Sequence, residues 1–273
     1  MLDKINETLQ YITSRTRIRP TTGIILGTGL GGLTDHIEIS QIIPYSEIPN
    51  FPVPTVEGHS GNLIFGKLNK HRVVAMQGRF HYYEGYTMEE VTFPIRVLKG
   101  LGIQQLMISN AAGGINPDFL IGDLMAITDH INLFPENPLR GPNEGKLGPR
   151  FPDMSEAYSI EFLLLAEKTA QSLGFKLQKG VYIGNSGPSF ETPAEYTYYR
   201  TIGGSAVGMS TVPEVIVARH MDVPVLAVSV ITNMAVPGNF QKNSHVDVQE
   251  AAKLAEKNLA NLFSEILGKF NKS

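Results

Sequence analysis

The stretch GIILGTGLGG, residues 23–32, joins a short apolar run to a glycine-rich turn. Its glycines Gly27, Gly29 and Gly32 match the G-x-G-x-x-G fingerprint, in which a strand ends at a turn whose backbone approaches an anion. The spacing alone leaves two interpretations open: a nicotinamide or flavin site, and a site for some other anion. In both cases it predicts a buried strand that leads directly into a ligand-binding turn, as in α/β proteins.

Similar apolar runs recur along the chain and end in polar or glycine residues, at 73–76, 106–108, 124–127, 206–209 and 225–231. Because they lack polar alternation, they are typical of strands buried on both faces of a largely parallel sheet. Helical patterns alternate with these runs, at 3–15, 88–100, 158–172, 193–201, 212–219 and, from a capping-box-like Asp247/Glu250 start, the C-terminus. Thr87 and Glu90 predict a capping box at the start of the pattern at 88–100. We therefore predict an α/β fold with a central mixed, largely parallel β-sheet flanked by helices.

The composition restricts the class of protein. The 273 residues are 42% hydrophobic and 18% charged, with a formal net charge of −3. This mild charge gives no reason to expect nucleic acid or a membrane surface as a partner. The lack of cysteine excludes disulfides and thiolate metal sites. The N-terminus has a polar helical pattern, and no apolar run approaches the ~20 residues of a membrane span, so we expect a cytoplasmic protein.

No repeat or flexible linker divides the chain, so residues 1–273 are predicted to form a single domain. The proline-rich segments 44–54 and 135–152 are predicted to be long surface loops, which often carry function.

Polar residues after the apolar runs are the candidates for chemistry, because ligands of open α/β sheets bind beyond the carboxyl ends of the strands. The loop QGRFHYYEGY (77–86) contains Arg79 and His81, and the planar fork of arginine matches phosphate oxygens. Ser210 precedes a capping box predicted from Thr211 and Glu214, and a helix N-terminus favours an anion. Taken singly, each feature is also compatible with an ordinary turn or a solvated loop.

A second segment, GNSGPSFETPAEY (184–196), places Phe190 and Glu191 directly before a predicted capping box formed by Thr192 and Glu195. Such a carboxylate could bind the N–H edge of a planar base while the ring packs on its face. The small residues of SNAAGGINPDF (109–119) allow either a ligand or a helix to approach the backbone closely. The histidines show no metal-ligand spacing, so we predict no metal site.

Taken together, these segments resemble the trimeric purine nucleoside phosphorylases over nearly the whole chain. The resemblance rests on nine ordered segments: GTGLGGL (27–33), EGHSGN (57–62), MQGRFHYYEGY (76–86), SNAAGGINPDF (109–119), NPLRGPNE (137–144), RFPDMSEAY (150–158), GPSFETPAEY (187–196), VGMSTVPE (207–214) and VITN (230–233). It implies the nucleoside phosphorylase fold and reversible cleavage of purine (deoxy)ribonucleosides by phosphate, to free base and α-(deoxy)ribose 1-phosphate. It also implies purine salvage, a homotrimer, and no cofactor beyond the co-substrate phosphate.

The resemblance also implies the role of particular residues. Phosphate would be bound by Thr28, His59, Arg79, His81, Ser210 and the backbone N–H of Ala111. The nucleoside would be bound by Tyr83, Phe190, Glu191, Met209, Asn233, His245 and, from the neighbouring subunit, Phe151. Glu191, Asn233 and His81 would be the catalytic residues. Thr28 stands where many family members have serine, and the loop before His245 varies in length within the family.

The nearest alternative enzyme is 5′-methylthioadenosine phosphorylase. That family tends to carry aspartate at the position where this chain has Asn233. Since an asparagine can serve a 6-oxopurine, we expect inosine and guanosine to be preferred. A nicotinamide dehydrogenase would need an acidic residue about 20 positions after the glycines. Glu47 has that distance but lies in a proline-rich loop. A nucleoside-binding protein without turnover is the non-enzymatic alternative.

Overall fold

The structure, a computed structural model, describes residues 1–27, 30–53, 55, 61–236, 239–240 and 244–269, without the side chains of Val236, Asn239, Phe240 and His245. Its helices are α1 (Leu2–Arg15), α2 (Met88–Gly100), α3 (Ile160–Ser172), α4 (Pro193–Thr201), α5 (Val212–His220) and α6 (His245–Lys269). Its strands are β1 (Thr22–Leu26), β2 (Glu38–Pro44), β3 (Asn62–Leu68), β4 (His71–Gln77), β5 (Gln105–Gly114), β6 (Leu124–Asn132), β7 (Gln178–Gly184), β8 (Ala206–Gly208), β9 (Val225–Val236) and β10 (Asn239–Phe240).

These strands form one mixed sheet in the order β10-β9-β6-β7-β8-β5-β1-β4-β3-β2. Because β9 also pairs with β5, the strands β5, β9, β6, β7 and β8 close into a ring, and β1, β4, β3 and β2 extend from it. The pairings of β1 with β4 and β5, of β5 with β9, and of β7 with β6 and β8 are parallel. The pairings of β2 with β3, β3 with β4, β5 with β8, β6 with β9, and β9 with β10 are antiparallel. The single-domain α/β fold with a mixed sheet and flanking helices is confirmed.

The opening apolar run is buried on both faces, as predicted. All five residues of β1 are buried. Ile25 packs into the apolar cluster that includes residues of α1, α2 and α5, whereas Ile24 and Leu26 pack into the cluster that includes α3 and α6. Successive side chains of a strand point to opposite faces, so an uninterrupted apolar run places β1 between two helical layers.

The glycine turn does not continue as a dinucleotide-binding fold would. Residues Gly31–His36 form a 3-10 helix, and β2 follows it. The backbone N–H of Gly32 donates a hydrogen bond to Glu256 of α6, so this amide already has a carboxylate partner. Thr28 and Gly29 lie outside the described residues. Because no α-helix directly follows β1 among the residues that the structure describes, this turn lacks the helix N-terminus on which the pyrophosphate of a dinucleotide would lie.

Helix starts show where local sequence rules hold. The capping boxes predicted at Thr87 and Thr192 are present, and α2 and α4 begin directly after them. The cap predicted for the last helix, Asp247, is wrong by three residues, because Ser244 is the residue that caps α6. There, Ser244 Oγ accepts the Asp247 backbone N–H at 3.2 Å, the Asp247 carboxylate accepts the Ser244 N–H, and α6 begins at His245. The carboxylate serves as the partner within the cap and not as the cap itself.

Strands β2, β3, β7 and β10 were not predicted. β2 is mostly exposed at the edge of the sheet, and its side chains do not form the buried apolar run used to find strands. Segment 135–152 contains no helix or strand, and in segment 44–54 only Pro44 and the 3-10 turn Tyr45–Glu47 are regular among the described residues. In the described part of the chain, each helix is too short or too polar to cross a bilayer.

Candidate active site

One cavity of about 310 Å³ opens beside the ends of β4, β5, β8 and β9. Its volume lies at the lower end of the range of about 300–1,000 Å³ that is common for small-molecule sites. Residues that the sequence analysis assigned to the site and that line this cavity are Arg79, His81, Tyr83, Ala111, Phe190, Glu191, Met209, Ser210 and Asn233. Segments far apart in the sequence therefore meet at one place.

Arg79, just after β4, organises one end of the cavity. Its side chain is only 1% exposed. Nη1 donates to Ser210 Oγ at 2.8 Å, and Nη2 donates to the Ser109 carbonyl at 2.8 Å. Nε lies 3.4 Å from Oε1 of Glu214, which is equally buried. A buried guanidinium needs such a carboxylate, because an unpaired charge in the interior is strongly destabilising.

The capping box predicted from Thr211 and Glu214 is wrong. The Thr211 side chain accepts no hydrogen bond from the first turn of α5. Glu214 is directed to Arg79 instead of the helix start, since the buried guanidinium requires a counter-charge. Local spacing identified the helix start correctly but not the partner of the carboxylate.

The backbone at this helix start is strained. Thr211 has φ 70° and ψ −52°, and the Val212 N–H donates to the Ser210 carbonyl at 2.8 Å. These values describe a γ-turn, a rare and strained geometry for a β-branched residue. The Thr211 hydroxyl compensates by accepting from Asn110 Nδ2 at 2.8 Å and from Arg79 Nη1 at 3.3 Å. The turn thereby holds the Ser210 hydroxyl against the guanidinium.

His81 lies beside this group and is 6% exposed. Its Nδ1 is 3.1 Å from Glu84 Oε1, which also accepts the His81 backbone N–H at 2.8 Å. Burial lowers the pKa of His81, although Glu84 acts in the opposite direction. Burial alone would raise the pKa of Glu84, but hydrogen bonds from His81 and Thr55 outweigh it and lower that pKa to about 2. At neutral pH we infer a neutral imidazole with its proton on Nδ1, which leaves Nε2 as an acceptor.

The other end of the cavity carries a half-buried carboxylate, Glu191. It is the residue before Thr192, the N-cap of α4. Its Oε1 accepts a hydrogen bond from Asn185 Nδ2 at 2.8 Å. The Tyr196 hydroxyl interacts with this carboxylate and with Asn233: burial and Glu191 raise the pKa of Tyr196, and the Asn233 amide lowers it. Glu191 and Asn233 thus belong to one polar cluster.

Aromatic and apolar side chains complete the walls between these two ends. Tyr83 stacks on His81 with ring centroids 4.7 Å apart, and burial raises the pKa of Tyr83 to about 12. Phe190 is 42% exposed at the mouth of the cavity. Met209 and, from α6, Val248 also line it. Flat apolar walls between two polar ends suit a ligand with a planar part.

Other predicted residues are not brought into the cavity by the described structure. Thr28 and His59 lie outside the described residues, as does the side chain of His245 at the start of α6. Phe151 is described, is 87% exposed, and is not among the residues that line the cavity. Its predicted place in a neighbouring subunit therefore stays a prediction.

Several residues of the site escaped the sequence reasoning. Asn110 ends the apolar run of β5 and is a candidate only as one of the polar residues that follow such runs, without a role of its own. For Glu214, the spacing predicts only a helix cap. Asn185 and Tyr196 interact with Glu191, six and five residues away, at spacings that follow no capping rule. Val248 reaches the cavity from α6, far away in the sequence.

Comparisons with known proteins identify the family of the chain. The family model described as the phosphorylase superfamily matches residues 21–268. The chain is 54% identical over 249 residues to purine nucleoside phosphorylase 1 of Geobacillus stearothermophilus, with 91% of each chain covered. It is 48% identical to the purine nucleoside phosphorylase of Mus musculus, over 95% of this chain and 92% of the mouse protein.

Solved structures give the same result. The crystal structure of Schistosoma mansoni purine nucleoside phosphorylase in complex with inosine is 43% identical, with a TM-score of 0.93 over 98% of this chain and 96% of that one. A structure of the Schistosoma mansoni enzyme in complex with adenosine is 44% identical, also with a TM-score of 0.93, over 98% of this chain and 97% of that one. The chain therefore belongs to the phosphorylase superfamily and, within it, to the purine nucleoside phosphorylases, which are enzymes of the glycosyltransferase type.

Proposed function

We propose that this protein catalyses the reversible phosphorolysis of purine ribonucleosides and deoxyribonucleosides, prefers the 6-oxopurines of inosine and guanosine, and serves purine salvage. The observation that supports this most is the placing of Arg79 and Ser210 at one end of a single cavity and Glu191 and Asn233 at the other. One end offers donors for an anion, and the other offers the polar groups that a purine edge requires.

At the anion end, phosphate would accept hydrogen bonds from Ser210, Arg79 and the backbone N–H of Ala111. His81 Nε2, as an acceptor, would bind the hydroxyl of monohydrogen phosphate. Cleavage of the N-glycosidic bond leaves positive charge on the sugar, which the phosphate anion stabilises before it attacks C1′. Donors fixed before the reaction stabilise this charge without reorganisation, which is the largest contribution in many enzymes.

At the base end, the departing purine gains negative charge. Asn233 Oδ1 accepts from Thr232 Oγ1 at 3.3 Å, so its Nδ2 is the group that can donate to O6 or N7 of a 6-oxopurine. Glu191 would accept the N1–H of the same base. A 6-amino group offers a donor where O6 offers an acceptor, which is the basis of the proposed preference.

Further roles rest on the family resemblance. We propose that Thr28 and His59 contribute to the phosphate site, that Tyr83 and Met209 contact the ribose, and that His245 lies near its 5′-hydroxyl. Phe190 would pack on the nucleoside. In a homotrimer, Phe151 would enter the neighbouring site; its 87% exposure makes it available for such a contact. Light scattering that gave a monomer at working concentration would exclude this last role.

The decisive experiment measures hypoxanthine release from inosine with and without inorganic phosphate. We expect turnover that depends on phosphate and yields ribose 1-phosphate. Because phosphate is the nucleophile and side chains carry the developing charge, activity should survive dialysis against EDTA. Faster cleavage of methylthioadenosine than of inosine would favour the methylthioadenosine phosphorylase alternative, and binding of inosine without turnover would favour a sensing protein.

A further inference from the structure

The Asn185 side chain joins a turn of the loop after β7 to the carboxylate at the base end of the cavity. Its Oδ1 accepts the Gly187 N–H at 2.9 Å, and its Nδ2 donates to Glu191 Oε1 at 2.8 Å. An amide has one acceptor oxygen and one donor nitrogen, so the two contacts fix which end points to which partner. The amide is thereby committed to a single orientation.

The backbone of Asn185 is also held in place. It follows β7 directly, and its N–H donates to the carbonyl of Gly208 at 3.0 Å. Gly208 itself lines the cavity. The amide therefore reaches Glu191 from the rigid end of the sheet, whereas Glu191 lies on the loop before α4.

We propose that Asn185 is a positioning residue for substrate recognition: it holds the Glu191 carboxylate in the orientation that accepts the N1–H of a 6-oxopurine. This inference rests on the proposed function. A half-buried glutamate has several rotamers, and selecting one before the substrate arrives removes part of the entropic cost of binding. The charged hydrogen bond to Oε1 leaves the remaining carboxylate lone pairs for the base and for Tyr196.

The variant Asn185→Asp tests this role directly. Aspartate keeps the oxygen that accepts the Gly187 N–H, and therefore keeps the turn, but it replaces the donor to Glu191 with a second carboxylate. For inosine we expect kcat/KM to fall about tenfold or more, mainly through a higher KM, since hydrogen bonds to charged groups are the strong ones. With purine riboside, which has neither N1–H nor O6, we expect a change of less than about twofold.

A matched control is Asn116→Asp. Asn116 Oδ1 accepts the backbone N–H two residues later, that of Asp118, at 3.0 Å, so this residue makes the same kind of turn without a carboxylate contact. We expect its kinetics with inosine to equal those of the unmodified protein. Equal kinetics for Asn185→Asp and Asn116→Asp would overturn the proposal.

A double-mutant cycle separates positioning from a merely structural effect. If Asn185 acts through Glu191, then Asn185→Asp should change kcat/KM by less than about twofold when it is added to Glu191→Ala. A full tenfold loss in that background would overturn the proposal. Should Asn185→Asp fold poorly by thermal unfolding, Asn185→Ser provides the same cycle, because its hydroxyl can accept the Gly187 N–H and it has no amide donor for Glu191.

Failure of the proposed function and failure of the Asn185 role give different results. If the unmodified protein shows no phosphate-dependent cleavage of inosine, the proposed function is wrong. If it cleaves inosine and Glu191→Ala is impaired, but Asn185→Asp is not, only the role of Asn185 is wrong.

Discussion

The two ends of the cavity hold their charged groups in different ways. At the anion end, Arg79 and Glu214 have side chains that are 1% and 4% exposed, and Ser210, Thr211 and the Ser109 carbonyl surround the guanidinium. At the base end, Glu191 is half-buried, and its Oε1 accepts a hydrogen bond from the amide of Asn185. A charge that is removed from water requires a counter-charge and several hydrogen bonds, whereas a charge near water requires only orientation.

This difference separates stability from selectivity. Substitutions at the anion end should affect both folding and turnover, because the same guanidinium serves the interior and the ligand. Substitution of the half-buried Glu191 at the base end should affect recognition with little cost to the fold. Substitutions at each end can therefore test this contrast.

Arg79→Ala should have the largest effect. We expect kcat/KM to fall by more than about 10³, because a phosphate donor and the partner of Ser210 are lost together. The free energy of unfolding should fall by roughly 3–5 kcal/mol, since the Glu214 carboxylate stays buried without its counter-charge. Steady-state kinetics with varied phosphate and urea unfolding measure the two losses. Arg79→Lys should restore part of this stability, because it keeps the positive charge, but not the contact through two nitrogens of one planar group. An unchanged KM for phosphate in Arg79→Ala would contradict the assignment of Arg79 to the phosphate site.

Glu191→Ala and Asn233→Ala should each lower kcat/KM for inosine by about 10²–10³, the usual effect of removing one fixed polar group from an active site. Glu191→Ala should leave the free energy of unfolding within about 1 kcal/mol, as is typical for a partly exposed position. The control is His36→Ala, a substitution at the end of the 3-10 helix outside the cavity. Near-normal rates in all three variants would exclude the proposed base site.

Glu84→Gln should change the acid stability. The pKa of Glu84 is lowered from 4.5 to about 2, so its carboxylate stabilises the folded state above about pH 4.5, and this contribution is lost as the pH falls towards 2. Glutamine cannot titrate, so the variant should be less stable at pH 7 and should lose less stability between pH 4.5 and 2. Urea unfolding across this range measures the slopes, and parallel curves for the two proteins would refute the shift.

Thr192→Ala and Thr87→Ala should have the smallest effects. Each removes an N-cap side chain with the same capping box, so each should cost about 1 kcal/mol of unfolding free energy. Only Thr192 adjoins Glu191, so Thr192→Ala alone should raise KM for inosine, by a few-fold. Thermal unfolding combined with kinetics compares the pair, and an equal rise in KM for both variants would remove the link between the cap and the base site.

Local features of the chain were predicted well where they depend on neighbouring residues alone. The caps at Thr87 and Thr192 follow from contacts three residues apart, and the strand β1 follows from an uninterrupted apolar run. The prediction of a capping box at Thr211 was wrong because Glu214 pairs with Arg79, which follows β4 and is far away in the sequence. Spacing identifies which partners are near along the chain but not which distant group competes for them.

By itself, the sequence determined the alternation of buried strands and helices, most helix starts, and the polar residues that end the strands, since these depend on local periodicity and capping. The family resemblance supplied the roles. The pairing of β9 with β5 that closes a ring of strands, and the contact of Gly32 with Glu256 of α6, depend on the packing of segments far apart in the sequence. The hydrogen bond from Asn185 to Glu191 spans only six residues, but it follows no helical or strand spacing. These contacts depend on burial and distance, which no local pattern contains.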